Sequence, residues 1–178
     1  MANASCFSFF RGISANALVS RARLRGVHVY DLSQAPSVFA TPPPFNADET
    51  AVISYRRWTV VWQENGFPNQ FADAIAGSPQ TSRAVIAYWN VNALTEFAYW
   101  QRGARVVSFD APDDRTGADP NRLLADMRAT VGSGQGQFRS VAQYYGRMLA
   151  LAQRLTGIHV SPNLFNRSRV ILGYRVLD

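Results

Sequence analysis

The chain has 178 residues, 47% apolar and 17% charged, a balance that excludes a disordered chain and suits one domain with a full core. No stretch approaches the roughly 18 consecutive apolar residues of a membrane-spanning helix. Arg11 also cuts short the apolar run at residues 6–10, which is too brief for the core of a secretory signal. The net charge is +6 and all 18 basic residues are arginine, the pattern of a G- and C-rich genome, so part of the basicity reflects codon preference. Each guanidinium still binds phosphate bidentately.

The lone Cys6 cannot form an internal disulfide, and a reducing cytosol is the expected compartment. Loop-rich stretches at residues 40–47, 111–118 and 132–136 are each followed by a renewed apolar pattern. Residues 1–178 are therefore expected to form a single α+β domain.

Taken in chain order, residues 5–10 alternate weakly, carry Phe7, Phe9 and Phe10, and predict a first strand broken at Gly12. Ser14 is a good N-cap for a short helix through Arg25, ended by Gly26, with Leu18 and Ala22 inside and Arg21 and Arg25 outside. A short strand at 27–30 precedes the Pro42-Pro43-Pro44 connection. Residues 51–55 and 58–63 flank Arg56-Arg57 and predict a hairpin or one bulged strand, although Arg-Arg is poor chemistry for a two-residue turn. Asn65-Gly66 is a better turn signal, and 69–76 a short helix ended by Gly77.

Residues 84–91, 96–100 and 105–109 predict a three-stranded meander, turning at Asn92 and at Gln101-Arg102-Gly103. Ile86, Tyr88 and Asn90 share one face of its first strand, and Val85, Ala87 and Trp89 the other, so that strand is expected to be central. Asp119-Pro120 predicts the start of a helix with the stripe Leu123, Leu124, Met127 and Val131. A longer helix over 139–156 turns Val141, Tyr145, Met148, Ala152 and Leu155 inward and closes at Gly157. A turn at Ser161 and a strand at 170–176 complete the chain. These elements predict an antiparallel meander sheet of about five to seven strands with helices packed on it.

The segments Trp58-Thr59-Val60-Val61-Trp62-Gln63-Glu64-Asn65-Gly66-Phe67 and Tyr88-Trp89-Asn90-Val91-Asn92-Ala93 are followed by Phe97-Ala98-Tyr99 and by residues 106–110. Together they resemble an uncharacterised actinobacterial family, domain of unknown function 6461. Residues 6–12 and Leu155-Thr156-Gly157 fit as well, so the resemblance covers most of the chain. It implies an origin in high-GC bacteria and brings no activity, cofactor or catalytic residue with it.

Three groups of residues invite a functional reading. Glu64, Asn65, Asn90, Asn92 and Glu96 fall at strand ends and turns, where paired carboxylates near amides serve acid–base chemistry or bind a cation. The structural alternative gives Asn65 and Asn92 to turn geometry and leaves Glu64 and Glu96 solvated or paired with arginine. Asp110, Asp113, Asp114 and Asp119 form an acidic stretch that lacks the glycine and closing glutamate of an EF-hand, and Asp119 is expected to cap a helix. His28 and His159 sit in no ligand pattern, and Cys6 reads as a small buried hydrophobe. The glycine-rich 132–136 follows a helix and lacks the phosphate-loop lysine. No metal or cofactor is expected.

The third group is aromatic: Trp58, Trp62, Tyr88, Trp89, Tyr99 and Trp100 all fall in predicted strands. Such rings make anchors for a protein partner or a stacking platform for nucleic acid, unless helices cover both faces of the sheet. The leading expectation is a non-catalytic binding or regulatory module with an aromatic and arginine surface. Its binding residues would be Trp58, Trp62, Glu64, Asn65, Tyr88, Asn90, Asn92, Glu96 and Tyr99, with a protein as partner. An enzyme or small-ligand or metal site on Glu64, Asn90, Asn92 and Glu96 is the first alternative. An arginine-driven nucleic-acid binder is the second, because the arginines are scattered along the chain and only a fold could gather them.

Overall fold

The computed structural model describes residues 5–31, 47–64, 68–90, 94–110, 113–131, 141–161, 164 and 169–176. Within them the strands are β1 (Ser5–Arg11), β2 (Arg25–Asp31), β3 (Ala47–Tyr55), β4 (Trp58–Glu64), β5 (Arg83–Trp89), β6 (Thr95–Gln101), β7 (Ala104–Phe109), β8 (Arg115–Thr116) and β9 (Arg169–Val176). The helices are α1 (Ala15–Arg21), α2 (Pro68–Ala76), α3 (Leu124–Thr130) and α4 (Val141–Thr156). All strands join one antiparallel sheet in the order β2-β9-β3-β4-β1-β5-β6-β7-β8. The fold is α+β as predicted, but the sheet has 9 strands, more than the five to seven expected. One addition is β8, where Ser108 pairs Thr116 inside the stretch read as an acidic loop.

The first strand of the sequence lies near the middle of the sheet, and its side chains show why. Phe7 and Phe9 point to the face covered by α3 and α4, packing with Val85, Phe97, Met127, Met148 and Leu151. Cys6 and Phe10 point to the opposite face, with Val61, Ile86, Leu18 of α1 and Ile75 of α2. A strand this apolar on both sides must sit between two helical layers. Each fully buried phenylalanine contributes about 1.5–3 kcal/mol relative to exposure.

Both two-residue hairpin turns carry an arginine. Arg56-Arg57 joins β3 to β4, with Tyr55 opposite Trp58, and Arg56 takes φ 54. Its guanidinium lies 5.4 Å from the centre of the Tyr55 ring, a cation–π contact that offsets part of the left-handed strain. Arg102 (φ 50) and Gly103 (φ 78) form the β6–β7 turn.

The helices depart from the sequence reading at their ends. Ser14 caps α1, its hydroxyl accepting from the Ala17 amide at 3.3 Å, as predicted. The helix stops at Arg21 instead of Arg25, because the left-handed residue is Arg23 (φ 54). Gly26 belongs to the bulged start of β2, where a Cβ would meet the Tyr174 ring at 2.3 Å. Asp119-Pro120 does not open α3 either. The Asp119 amide instead donates to the Val106 carbonyl at 2.9 Å, and α3 begins at Leu124 without a side-chain cap. Leu123, Met127 and Val131 are buried as expected. On α4 the buried stripe is Tyr144, Met148, Leu151 and Ala152, with Tyr145 and Leu155 at its margin. The turns read at Asn65-Gly66 and Asn92, the proline run, residues 139–140 and the glycine-rich 132–136 lie outside the described residues.

Phe9 touches the α3–α4 layer from the middle of the sheet and has no exposure. Phe9→Ala is expected to cost about 3–5 kcal/mol. Urea unfolding checks this, and a loss below about 1 kcal/mol would mean that the two layers do not meet at β1.

Candidate functional site

Antiparallel pairing sorts residue types to the two ends of the strands, and the two ends differ in charge. At one end Arg11, the last residue of β1, lies opposite Trp58 of β4 and Arg83 of β5, and Arg83 lies opposite Gln101 of β6. Arg56-Arg57 and Arg102 turn the chain at the same end. At about 4.8 Å per strand, this rim is about 19 Å from one turn to the other. Arg56, Arg57, Arg83 and Arg102 are exposed and Arg11 is half-buried.

The rim is held by backbone as well as by strand pairing. Ser82 donates its amide (2.8 Å) and its hydroxyl (3.0 Å) to the Arg11 carbonyl, and its own carbonyl accepts from the Arg102 amide at 3.1 Å. Arg21, at the end of α1, donates to the Ser78 hydroxyl and, at 2.6 Å, to the Gln80 side-chain carbonyl. The ion pairs among the described residues are Arg105 with Asp73 (2.8 Å), just after the Arg102-Gly103 turn, and Arg154 with Asp126, and neither includes a rim arginine. Among the described residues no carboxylate pairs with Arg11 or Arg83, which stand directly opposite, an arrangement that costs stability unless an anion joins it.

At the other end a polar row crosses five strands on the α2 face. Thr50, Gln63, Cys6, Tyr88 and Glu96 are successive register partners, and the first four are buried. The Gln63 amide nitrogen donates to Thr50 at 3.4 Å, while its carbonyl oxygen has no hydrogen-bond partner among the described residues. Cys6 and Ser8 share a contact of 3.6 Å, and burial pushes the Cys6 thiol up to about 12, so it stays protonated at neutral pH and is no nucleophile. Burial raises Glu96 above the usual carboxylate range, and Asp73 and Asp110 add to this against Arg105. Asp110 is raised by burial and then by Asp114. Among the described residues, no three or more His, Cys, Asp or Glu side chains come together as metal ligands.

The predicted site residues divide accordingly. Tyr88 and Glu96 are brought together as register partners. Asn90 stands at the same end: its side-chain oxygen accepts from the Leu94 amide at 2.9 Å and its backbone amide donates to the Leu94 carbonyl at 3.0 Å, closing the connection into β6, and its side chain also hydrogen-bonds Tyr88. The backbone of Glu64 pairs with Ser5 at this end, while Asn65 and Asn92 lie outside the described residues. Trp58 and Tyr99 are buried in the α4-side core, and Trp62 is half-buried and stacked on Phe7 at 6.1 Å. These rings fill the helix-covered faces of the sheet. The arginine rim was not singled out from the sequence. Its signal was present in arginines at two turns and at the ends of two strands that run in opposite directions.

A pH dependence follows from Glu96. Its carboxyl is raised in the folded protein, so the native state holds that proton more tightly than the unfolded chain. The resulting stability is present below the ordinary glutamate range and lost as pH rises through the raised value. Thermal melts from neutral to mildly acidic pH should therefore show less gain on acidification for Glu96→Gln than for the wild type. Equal slopes would show that Glu96 is not desolvated by folding.

The model of the family of unknown function DUF6461 matches residues 1–175, and the chain belongs to that family. No curated protein and no solved structure matches it.

Proposed function

We propose that this DUF6461 protein is a binding module that holds a nucleic-acid backbone against the arginine end of its sheet. The observation that carries this reading is the rim of Arg11, Arg56, Arg57, Arg83 and Arg102, which have no ion-pair partner among the described residues, are spread over neighbouring strand ends and are tied down by Ser82. Guanidinium groups bind phosphate oxygens in pairs, and a rim of about 19 Å spans several successive phosphates. The like-charged pair Arg11 and Arg83 gains most from a bound polyanion, since each phosphate placed between them removes a repulsion that the free protein tolerates. With Trp58, Tyr88 and Tyr99 committed to the core, the reading draws on backbone contacts and not on base stacking. An acidic protein surface is the rival polyanion. The cytosol of a G- and C-rich, actinobacterial cell suits this role, as the single cysteine and the all-arginine composition suggest.

Fluorescence anisotropy with labelled single- and double-stranded oligonucleotides, at several salt concentrations, tests it. Affinity should fall steeply with salt, and Arg83→Gln or Arg102→Gln should each weaken binding and reduce the log–log salt slope by about 1. Binding that ignores salt, or variants that match the wild type, would sink the proposal.

A second reading places a small polar ligand beside Tyr88 and Glu96, favoured by the buried Gln63 oxygen that has no partner among the described residues. A thermal-shift screen of small amines and amides should then find compounds that stabilise the wild type and not Glu96→Gln; a screen without hits removes this reading.

A further inference from the structure

The arginines of the rim stand in a single file. The strand order β3-β4-β1-β5-β6-β7 sets the Arg56-Arg57 turn first, then Arg11, then Arg83, then the turn at Arg102. At about 4.8 Å per strand, the steps between these stations are roughly 7, 5 and 7 Å. The file is also curved. Each strand is rotated by about 20–25° against its neighbour, so the strand ends sweep through roughly 80–100° between the two turns. Other arginines are committed elsewhere: Arg21 donates to Ser78 and Gln80, and Arg105 and Arg154 pair with carboxylates.

We propose that the rim takes one extended strand of nucleic acid, about four phosphates long, and holds it by the backbone alone. The inference rests on the nucleic-acid reading above and narrows its substrate. A duplex presents two backbones across grooves of about 6 and 12 Å, and it stays straight over such a distance because its persistence length is about 150 base pairs. A straight rod laid on a curved single file meets only part of it. A single strand bends with the file and sets one phosphate at each station, including the close pair Arg11 and Arg83. Nothing at this end reads the bases. Trp58 and Tyr99 are each 8% exposed, the Tyr55 ring lies 5.4 Å from the Arg56 guanidinium, and the Trp100 ring lies 5.0 Å from that of Arg105. Among the described residues no bare ring is left at the rim for a base to stack on, so the bases turn outward and binding does not depend on sequence.

Fluorescence anisotropy on the full chain tests this with three labelled probes: oligothymidylate of about 12 nucleotides, an abasic strand of the same length, and a duplex of the same length. The single strand should bind about tenfold or more tighter than the duplex, with a log–log salt slope of about −3 for four phosphates. The abasic strand should bind within about twofold of oligothymidylate, and Arg56→Gln and Arg102→Gln, at opposite ends of the file, should each weaken both single strands. A duplex bound as tightly as the single strand, with both weakened by Arg83→Gln, would overturn this inference and leave the nucleic-acid reading standing. Loss of most of the affinity on removing the bases would overturn the backbone-only hold. No salt-dependent binding of any probe would overturn the reading and the inference together.

Discussion

Burial of β1 on both faces is the constraint from which the remaining architecture follows. Cys6, Phe9 and Phe10 have no exposure, and their side chains leave the strand in opposite directions. Such a strand is stable only with neighbours on each edge and a helical layer above and below. β4 and β5 supply the edges, α2 lies on one side and α4 on the other. The outer strands then extend this arrangement until burial runs out: at β2, with its exposed valines, and at the two-residue β8.

Much of this was legible in the residues. The alternation of Ile86 and Tyr88 with Val85 and Ala87 announced a strand covered on both faces, and α4 was visible from Met148 and Ala152. The hairpin at Arg56-Arg57 was legible as spacing but not as chemistry, because a left-handed arginine contradicts local preference and stands only where the flanking strands impose it. The end of α1 was misread for a related reason. Gly26 offers a left-handed conformation, yet the chain uses it to pass beneath Tyr174, a contact over about 150 residues of sequence that no local pattern contains.

The functional residues were less legible than the fold. Glu64, Asn65, Asn90, Asn92 and Glu96 were grouped because they fall near turns, and the structure does set Tyr88 beside Glu96 at one strand end. Asn90 closes the loop into β6 and also hydrogen-bonds Tyr88, roles that sequence alone does not distinguish from ligand binding. The aromatic residues raised the opposite difficulty: a tryptophan in a strand reads equally well as core or as contact surface, and only the helices on both faces decide. The arginines were discounted because composition explains their number. Composition does not explain their position, and position depends on which strand runs up and which runs down.

That alternation has a consequence for how the molecule meets others. Arg56, Arg57, Arg83 and Arg102 stand at one pole, while Glu96, Asp110 and Asp114 stand at the other. Separated by the length of a strand, roughly 20 Å, these opposite charges contribute a dipole along the central strands. In the field of any highly charged body that dipole experiences a torque. The protein is turned before it touches, so one pole arrives first and fewer encounters are spent in unproductive orientations.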